Sequence, residues 1–191
     1  MPEMETLEVL ARALGVIARH ETIIEPSAFD ELCQLVRRSM LPAFAAEAGA
    51  AQDDGTGRPF VHLAITRSER PGFFRVLAST GGALDSVLPF RTLLSSSRKI
   101  FETVYQQRSS LVVSELDGST ELERQGKKLG FGSYAMFPIP EGPGGIVIAA
   151  LIIAFSEPDA VDGCDVALFT EIAASIGPSV ARGLIAGRRE R

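Results

Sequence analysis

Tryptophan is absent from this 191-residue chain, and cysteine and histidine each occur only twice. The two cysteines, Cys33 and Cys164, lie far apart, so a disulfide framework is not indicated and a reducing compartment, the cytoplasm, is expected. His20 and His62 stand alone in the sequence, without the grouped Cys, His, Asp and Glu residues that a metal site needs. We therefore expect no metal site, and we interpret His62 as a structural residue of a strand.

Positive charge and long apolar runs are also scarce. The chain has 19 Lys and Arg against 24 Asp and Glu, a net charge of −5, which argues against a nucleic-acid partner. The apolar run at residues 146–155 is about half of the roughly 20 residues that span a bilayer. We interpret it as a buried strand. The first residues lack the pattern of a signal peptide, and no membrane partner is expected.

What the sequence does contain is a series of helix and strand patterns. Apolar residues spaced three and four apart predict a first helix with one apolar stripe, formed by Leu7, Leu10, Leu14 and Ile17. Such a stripe must cover either the chain's own core or a matching helix of a partner. A second stripe predicts a closing helix, with Val166, Phe169, Ile172, Ile176, Val180 and Leu184. The predicted order is helices at 4–19 and from 27, strands at 60–66 and 73–80, a helix at 98–107, a strand at 111–114, a helix after Thr120, strands at 133–139 and 146–155, and a helix from about residue 165.

This order predicts the fold class. Turn residues at 67–72 and 141–144 join consecutive strands, which must then be antiparallel. Strands and helices do not alternate as in a doubly wound fold, so the class is α+β. Residues 83–96 contain Pro89 and are predicted to be irregular. Thr120 and Glu123 have the spacing of a capping box, in which each side chain satisfies the other's end of the first helical turn.

Three stretches of the chain, taken in order, resemble the GAF domain, a small-molecule sensory domain of signalling proteins. They are Gln107 to Glu115 (QRSSLVVSE), Leu129 to Ile139 (LGFGSYAMFPI) and Gly145 to Ser156 (GIVIAALIIAFS). The resemblance covers residues 27–187, which leaves 1–26 as an N-terminal helical extension and 188–191 as a basic C-terminal tail. It implies a central antiparallel sheet of five to six strands, with terminal helices on one face and short helices and loops on the other.

The resemblance also implies a regulatory function. Such domains bind a small molecule, form homodimers through their terminal helices and control an output domain or partner protein, for example in transcription regulation. The implied pocket lies between the helix at 98–107, the segment 114–122 and the strand at 133–139. The candidate ligand-binding residues are Arg91, Phe101, Tyr105, Glu115, Ser133 and Tyr134. Among them, Phe101 and Tyr105 offer aromatic walls and Arg91 offers a charge for an anionic ligand. No cofactor is identified, and the ligand is unknown.

Two alternatives to a sensor stay open. The same fold serves only for dimerisation if side chains such as Phe101, Tyr105 and Met136 fill the pocket. Relatives that reduce free methionine sulfoxide use clustered cysteines, because one thiolate attacks the sulfoxide and a second thiol resolves the product. Since Cys33 is predicted on the apolar face of a helix and Cys164 in a loop, we expect no enzyme.

Two further ligand classes lack their motifs. The Asn-Lys…Phe…Asp-Glu motif of cyclic-nucleotide-binding relatives is not found, because Phe29-Asp30-Glu31 has a different spacing and lies in the wrong helix. Bilin-binding relatives attach the chromophore to a cysteine that is often followed by histidine, and residues 93–129 contain neither. We expect a non-covalent ligand of another kind.

Overall fold

The computed structural model describes residues 2–40, 61–70, 73–79, 93–95, 98–163 and 166–189. Its helices are α1 (Pro2–Arg19), α2 (Pro26–Met40), α3 (α-helical over Arg98–Ile100 and π-helical over Phe101–Gln106), α4 (Glu121–Lys128) and α5 (Val166–Arg189). Its strands are β1 (Val61–Arg70), β2 (Phe73–Ser79), β3 (Leu93–Ser95), β4 (Leu111–Val113), β5 (Ser133–Pro140) and β6 (Val147–Phe155). A 3₁₀ turn, Ala160–Gly163, precedes α5.

The six strands form one antiparallel sheet in the order β3-β2-β1-β6-β5-β4. The α+β class and both predicted hairpins are confirmed. The prediction of irregular structure at 83–96 is wrong over β3, where Ser95 pairs with Phe73. Three residues are too few to show a period-two pattern, and this strand exists through its pairing with β2. β1 continues past Arg67, the predicted turn, because its pairing with β2 extends to Arg70.

Side chains of the central strands alternate between two apolar clusters, one on each face of the sheet. On β6, Leu151 and Ile153 belong to one cluster, and Ala150 and Ala154 belong to the other. The first cluster includes side chains of α1, α2 and α5, and we call this side the α1/α5 face. The second includes side chains of α3 and α4, and we call it the α3/α4 face. The predicted two-sided arrangement is therefore confirmed.

The apolar stripe of α1 is divided between two environments. Leu10 and Ile17 pack against the cluster on the α1/α5 face, which includes the buried Ala13 and Val16, whereas Leu7 is 64% exposed and Leu14 is 46% exposed. Half of the stripe therefore covers the chain's own core, and the cover of the other half by a partner's helix stays a prediction. In α5 most of the predicted stripe is buried, but Val166 is 39% exposed at the first turn of the helix.

The turn between α1 and α2 is fastened to α5 by buried polar contacts. The Thr22 hydroxyl donates to the Ser179 carbonyl oxygen at 2.8 Å, and the Ser179 hydroxyl accepts from the Ile23 N–H at 2.8 Å. The Arg182 guanidinium donates to the Glu21 carbonyl oxygen at 2.9 Å. These bonds hold the two terminal helices together. In the described ranges no helix combines the length and the apolar content that crossing a bilayer requires.

Candidate functional site

A cavity of about 60 Å³ lies on the α3/α4 face, between the sheet and α4. Side chains from β1, β5 and β6 form its floor, and Leu122, Gln125 and Gly126 of α4 cover it. Leu116 before α4 and Phe131 after it complete much of the remaining wall. The site therefore combines a rigid sheet with one short helix.

The register of the strands explains why the cavity forms there. Ala154 of β6 pairs with His62 of β1 on one side and with Tyr134 of β5 on the other, so the three side chains form one row across the sheet. In the next row on the same face, Ala64 pairs with Ile152. Alanine at two of these floor positions leaves space that a larger side chain would occupy.

Three side-chain oxygen atoms are buried in residues that line this cavity. They are Oγ1 of Thr66, Oε1 of Gln125 and Oη of Tyr134, and none has a hydrogen-bond partner among the described residues. A buried polar atom without a partner costs on the order of 1–3 kcal/mol, and such atoms are rare in folded proteins. None of the three reaches the surface of the cavity, which is almost entirely apolar.

Permanently charged side chains do not line the cavity in the described residues. Within the described part of the chain, its wall contains no Lys, Arg, Asp or Glu. Burial raises the pKa of Tyr134, and the charge of nearby Glu123 raises it further, so the phenol keeps its proton at neutral pH. His62 is buried, and its ring centroid lies 5.6 Å from that of Phe131. The surface of the cavity is thus almost entirely apolar.

Capping contacts fix the start of α4 above the cavity. The Thr120 hydroxyl accepts from the Glu123 N–H at 3.1 Å, which confirms half of the predicted capping box. The other half is wrong, because the buried Glu123 carboxylate accepts from the N–H groups of Gly118 at 3.1 Å and Ser119 at 3.2 Å. Gly118 has a φ of 84°, and this left-handed turn points its N–H at the carboxylate instead.

Two of the predicted ligand-binding residues lie in an aromatic stack beside the cavity. Tyr105 stacks on Phe101 with ring centroids 5.7 Å apart and on Phe74 with centroids 5.6 Å apart. Burial raises the pKa of Tyr105, and its hydroxyl donates to the Thr66 carbonyl oxygen at 3.3 Å. None of the three rings lines the cavity.

The other candidates are separated from one another. Tyr134 is the one candidate that lines the cavity in the described part of the chain. Ser133 points to the opposite face, where its hydroxyl donates to the Glu157 carbonyl oxygen at 2.7 Å. Glu115 is exposed, and Arg91 lies outside the described residues. The ligand-binding roles of all six candidates stay predictions.

The sequence analysis does not select His62, Thr66 or Gln125 as ligand-binding residues. A signal exists for the first two, because His62, Ala64 and Thr66 alternate with aliphatic residues in β1 and give one face that is polar or small. Gln125 has no comparable signal, since its position at the wall depends on how α4 packs against the sheet.

The cysteines do not cluster at the cavity in the ranges that the structure covers. Cys33 is 1% exposed and belongs to the cluster on the α1/α5 face, so the sheet lies between it and the cavity. Cys164 lies outside the described residues. No group of three or more His, Cys, Asp and Glu in the described ranges is placed to hold a metal ion.

Comparison with known proteins identifies the fold. No protein-family model and no curated protein matches the chain. Among solved structures, it is similar to the GAF domain of a phosphoenolpyruvate-protein phosphotransferase from Coxiella burnetii, with 15% identity, coverage of 97% of this chain and 98% of that chain, and a TM-score of 0.58. It is similar to a GAF domain from A. aeolicus in an inactive state, with 14% identity, coverage of 95% and 98%, and a TM-score of 0.57.

An enzyme shares the same architecture. The chain is similar to the free methionine-R-sulfoxide reductase from Neisseria meningitidis, solved with its substrate, with 13% identity, coverage of 95% of this chain and 91% of that chain, and a TM-score of 0.59. At these identities a structural likeness establishes the fold and leaves the activity open. The chain therefore has the fold of GAF domains.

Proposed function

We propose that this chain is a sensory domain that binds a small molecule non-covalently in the cavity and signals through its terminal helices in a homodimer. The observation that carries the proposal is the apolar cavity of about 60 Å³ between the sheet and α4, which Ala64 and Ala154 leave open at its floor. We propose the cytoplasm as its location. An output domain or a separate protein would receive the signal.

The packing of α5 supports a route from the cavity to the terminal helices. β5 carries Tyr134 at the cavity and ends at Pro140, whose carbonyl oxygen lies against Gly177 of α5. A Cβ atom on Gly177 would come within 1.8 Å of that oxygen, so α5 and the end of β5 are in direct backbone contact. A ligand that displaces β5 would therefore act on α5 without an intermediate element.

A dimerisation module without a ligand is the alternative. In its support, Phe101 stacks on Tyr105, and Tyr105 packs against the cluster on the α3/α4 face that contains the buried Met136. This alternative gives no account of the cavity beneath α4. We favour the sensor for that reason.

We also propose that the protein is not a methionine sulfoxide reductase, although one such enzyme shares its fold. The support is the position of Cys33 across the sheet from the cavity. Turnover of free methionine sulfoxide should be absent from the parent protein and from its Cys33→Ser and Cys164→Ser variants. Activity that depends on either thiol would overturn this part of the proposal.

The sensor is tested by native mass spectrometry of protein purified from its own host. We expect a retained small molecule in the parent protein and its loss from Ala154→Leu, because the larger side chain fills the cavity. Ala167→Leu, at an exposed position of α5, is the matched control and should retain the molecule. If the parent carries nothing, or if Ala154→Leu retains as much as the control, the cavity is not the ligand site.

A further inference from the structure

We propose that the β5–β6 turn, residues 141–146, couples α3 to α5, so that release of Arg108 from this turn loosens α5 at Gly177. The inference rests on the proposed function for the role of α5 as the helix that carries the signal. It adds a second input to that helix, on the α3 side of the sheet and outside the cavity.

The β5–β6 turn is contacted from both faces of the sheet. Arg108 lies two residues past the end of α3, and its guanidinium donates to the Gly144 carbonyl oxygen at 3.1 Å. At the start of the turn, the Pro140 carbonyl oxygen lies so close to Gly177 of α5 that a Cβ atom there would come within 1.8 Å of it. One turn is therefore bound by the end of α3 and packed directly on α5.

Internal hydrogen bonds make the turn a single unit. The Glu141 N–H donates to the Ile146 carbonyl oxygen at 2.9 Å, and the Gly145 N–H donates to the Gly142 carbonyl oxygen at 2.8 Å. A loop closed in this way has little freedom to deform internally. A movement on the side that Arg108 holds is therefore passed to the side on which α5 lies.

The segment that ends at Arg108 has two unusual backbone conformations. It is π-helical over Phe101–Gln106, a form that is rare and is frequent at functional sites. Arg108 itself has a φ of 57°, which the Cβ atom of any residue except glycine disfavours. Such conformations persist only where the surrounding structure holds them. The bond to Gly144 is one such contact, so its release would let the end of α3 relax.

The turn contacts α5 at a point where that helix lacks a hydrogen bond. Pro178 follows Gly177 inside α5, and proline has no N–H to donate to the carbonyl of Ala174 one turn earlier. Helices bend most readily at such positions. The next residue, Ser179, is hydrogen-bonded to the turn between α1 and α2, so a change at this point of α5 also reaches α1.

Amide hydrogen exchange on the full chain tests the coupling. The amides of residues 179–182 are followed, because their helical bonds reach back across Gly177 and Pro178. We expect them to exchange about three- to tenfold faster in Arg108→Gln than in the parent, the effect of one lost hydrogen bond on the opening of this part of α5. Arg108→Lys should stay within about twofold of the parent, because an ammonium group can donate to the same single carbonyl oxygen.

Arg124 of α4 offers a matched control. Its exposed guanidinium also donates to a glycine carbonyl oxygen, that of Gly118, at 3.1 Å, but α4 does not contact the β5–β6 turn. Arg124→Gln should change the exchange of residues 179–182 by less than about twofold. The coupling is overturned if Arg108→Gln does not accelerate this exchange, if Arg124→Gln accelerates it equally, or if Arg108→Lys behaves like Arg108→Gln.

The proposed function is judged by a different result, the retention of a small molecule that Ala154→Leu loses. Arg108→Gln should retain that molecule, because Arg108 does not line the cavity. Its loss from this variant would overturn the separation of the two inputs. A parent protein that carries no molecule contradicts the sensor and leaves the coupling of α3 to α5 standing.

Discussion

At the scale of single residues, two alanines of β6 occupy opposite environments although both are buried. Ala154 lies at the cavity floor, and Ala149 points into the packed cluster on the α1/α5 face. We expect Ala154→Val to leave the free energy of unfolding unchanged or raise it by about 1 kcal/mol, because the added methyl groups enter empty space. Ala149→Val should lower it by about 1–3 kcal/mol through overpacking. Urea denaturation measures both, and equal losses would mean that the cavity is not empty space in solution.

The two tyrosines give a second residue-scale prediction. They are the only tyrosines of a chain without tryptophan, and burial raises the pKa of both above the ordinary value of 10.0. A raised pKa in the folded state means that the protonated phenols contribute stability fully below pH 10, and that this contribution is lost as the pH rises further. Near-ultraviolet titration should show no tyrosinate in the folded protein at pH 10, whereas the chain in urea ionises there.

The variant Tyr134→Phe supplies the control for this titration. It should remove one of the two ionisations that appear when the protein unfolds at high pH, and leave that of Tyr105. A phenol that ionises near pH 10 while circular dichroism remains native would contradict the burial of that tyrosine.

The same residues show what the sequence can and cannot predict about the site. Tyr134 is selected because the GAF-like stretch places it on a pocket strand, and the structure does bring it to a cavity wall. Phe101 and Tyr105 stack on each other, but neither lines the cavity, and a third ring, Phe74 from β2, stacks on Tyr105. That partner is 27 or more positions away in sequence, and no local pattern reveals it.

At the scale of helices and strands, two glycines inside helices should respond in opposite ways to alanine. Gly177 of α5 meets the Pro140 carbonyl oxygen, and the Cβ atom of an alanine there would lie 1.8 Å from that oxygen, so Gly177→Ala should lower the free energy of unfolding by about 1–3 kcal/mol. Gly15 of α1 has only Arg19 at 3.5 Å, so Gly15→Ala should raise it by about 0.5–1 kcal/mol. Thermal denaturation measures the stability of both variants. If Gly177→Ala stabilises the protein, β5 and α5 are not in direct backbone contact in solution.

A helix or strand of this protein can be predicted from the sequence where the pattern that defines it is local. The hairpin β5–β6 and the helices α1 and α5 have long periodic patterns or turn residues, and all are found near the predicted bounds. β3 is missed because it depends on β2. The side of α1 that packs in the core is centred on Ala13 and Val16, which the spacing of the larger apolar residues does not indicate, because close packing against α2 and α5 favours small side chains.

At the scale of the whole molecule, the sheet separates the cavity from the terminal helices α1 and α5. β1, β5 and β6 present one set of side chains to the cavity and the alternate set to the α1/α5 face. The turn that joins α1 to α2 is hydrogen-bonded to α5 through Thr22 and Ser179. A shift of α5 would therefore move α1 with it. A partner bound to either helix would be affected by the movement of both.

We predict that the two exposed leucines of α1 form the surface through which a second copy binds. Leu7 and Leu14 are seven residues apart, the repeat of a coiled-coil seam, and they are 64% and 46% exposed. We expect the parent protein to sediment as a dimer and the double variant Leu7→Glu, Leu14→Glu to sediment as a monomer, because paired carboxylates repel at the same seam. Since both residues are exposed, the variant should unfold within about 0.5 kcal/mol of the parent.

Ile146 offers the control for this experiment, since it is 65% exposed at the hairpin between β5 and β6, away from the helices. Ile146→Glu removes a comparable apolar surface and should leave the dimer intact. Sedimentation equilibrium over a concentration series separates the three proteins. If the parent is a monomer at every concentration, or if the double variant dimerises as tightly as Ile146→Glu, the exposed leucines do not form the interface and signalling through paired α1 helices is excluded.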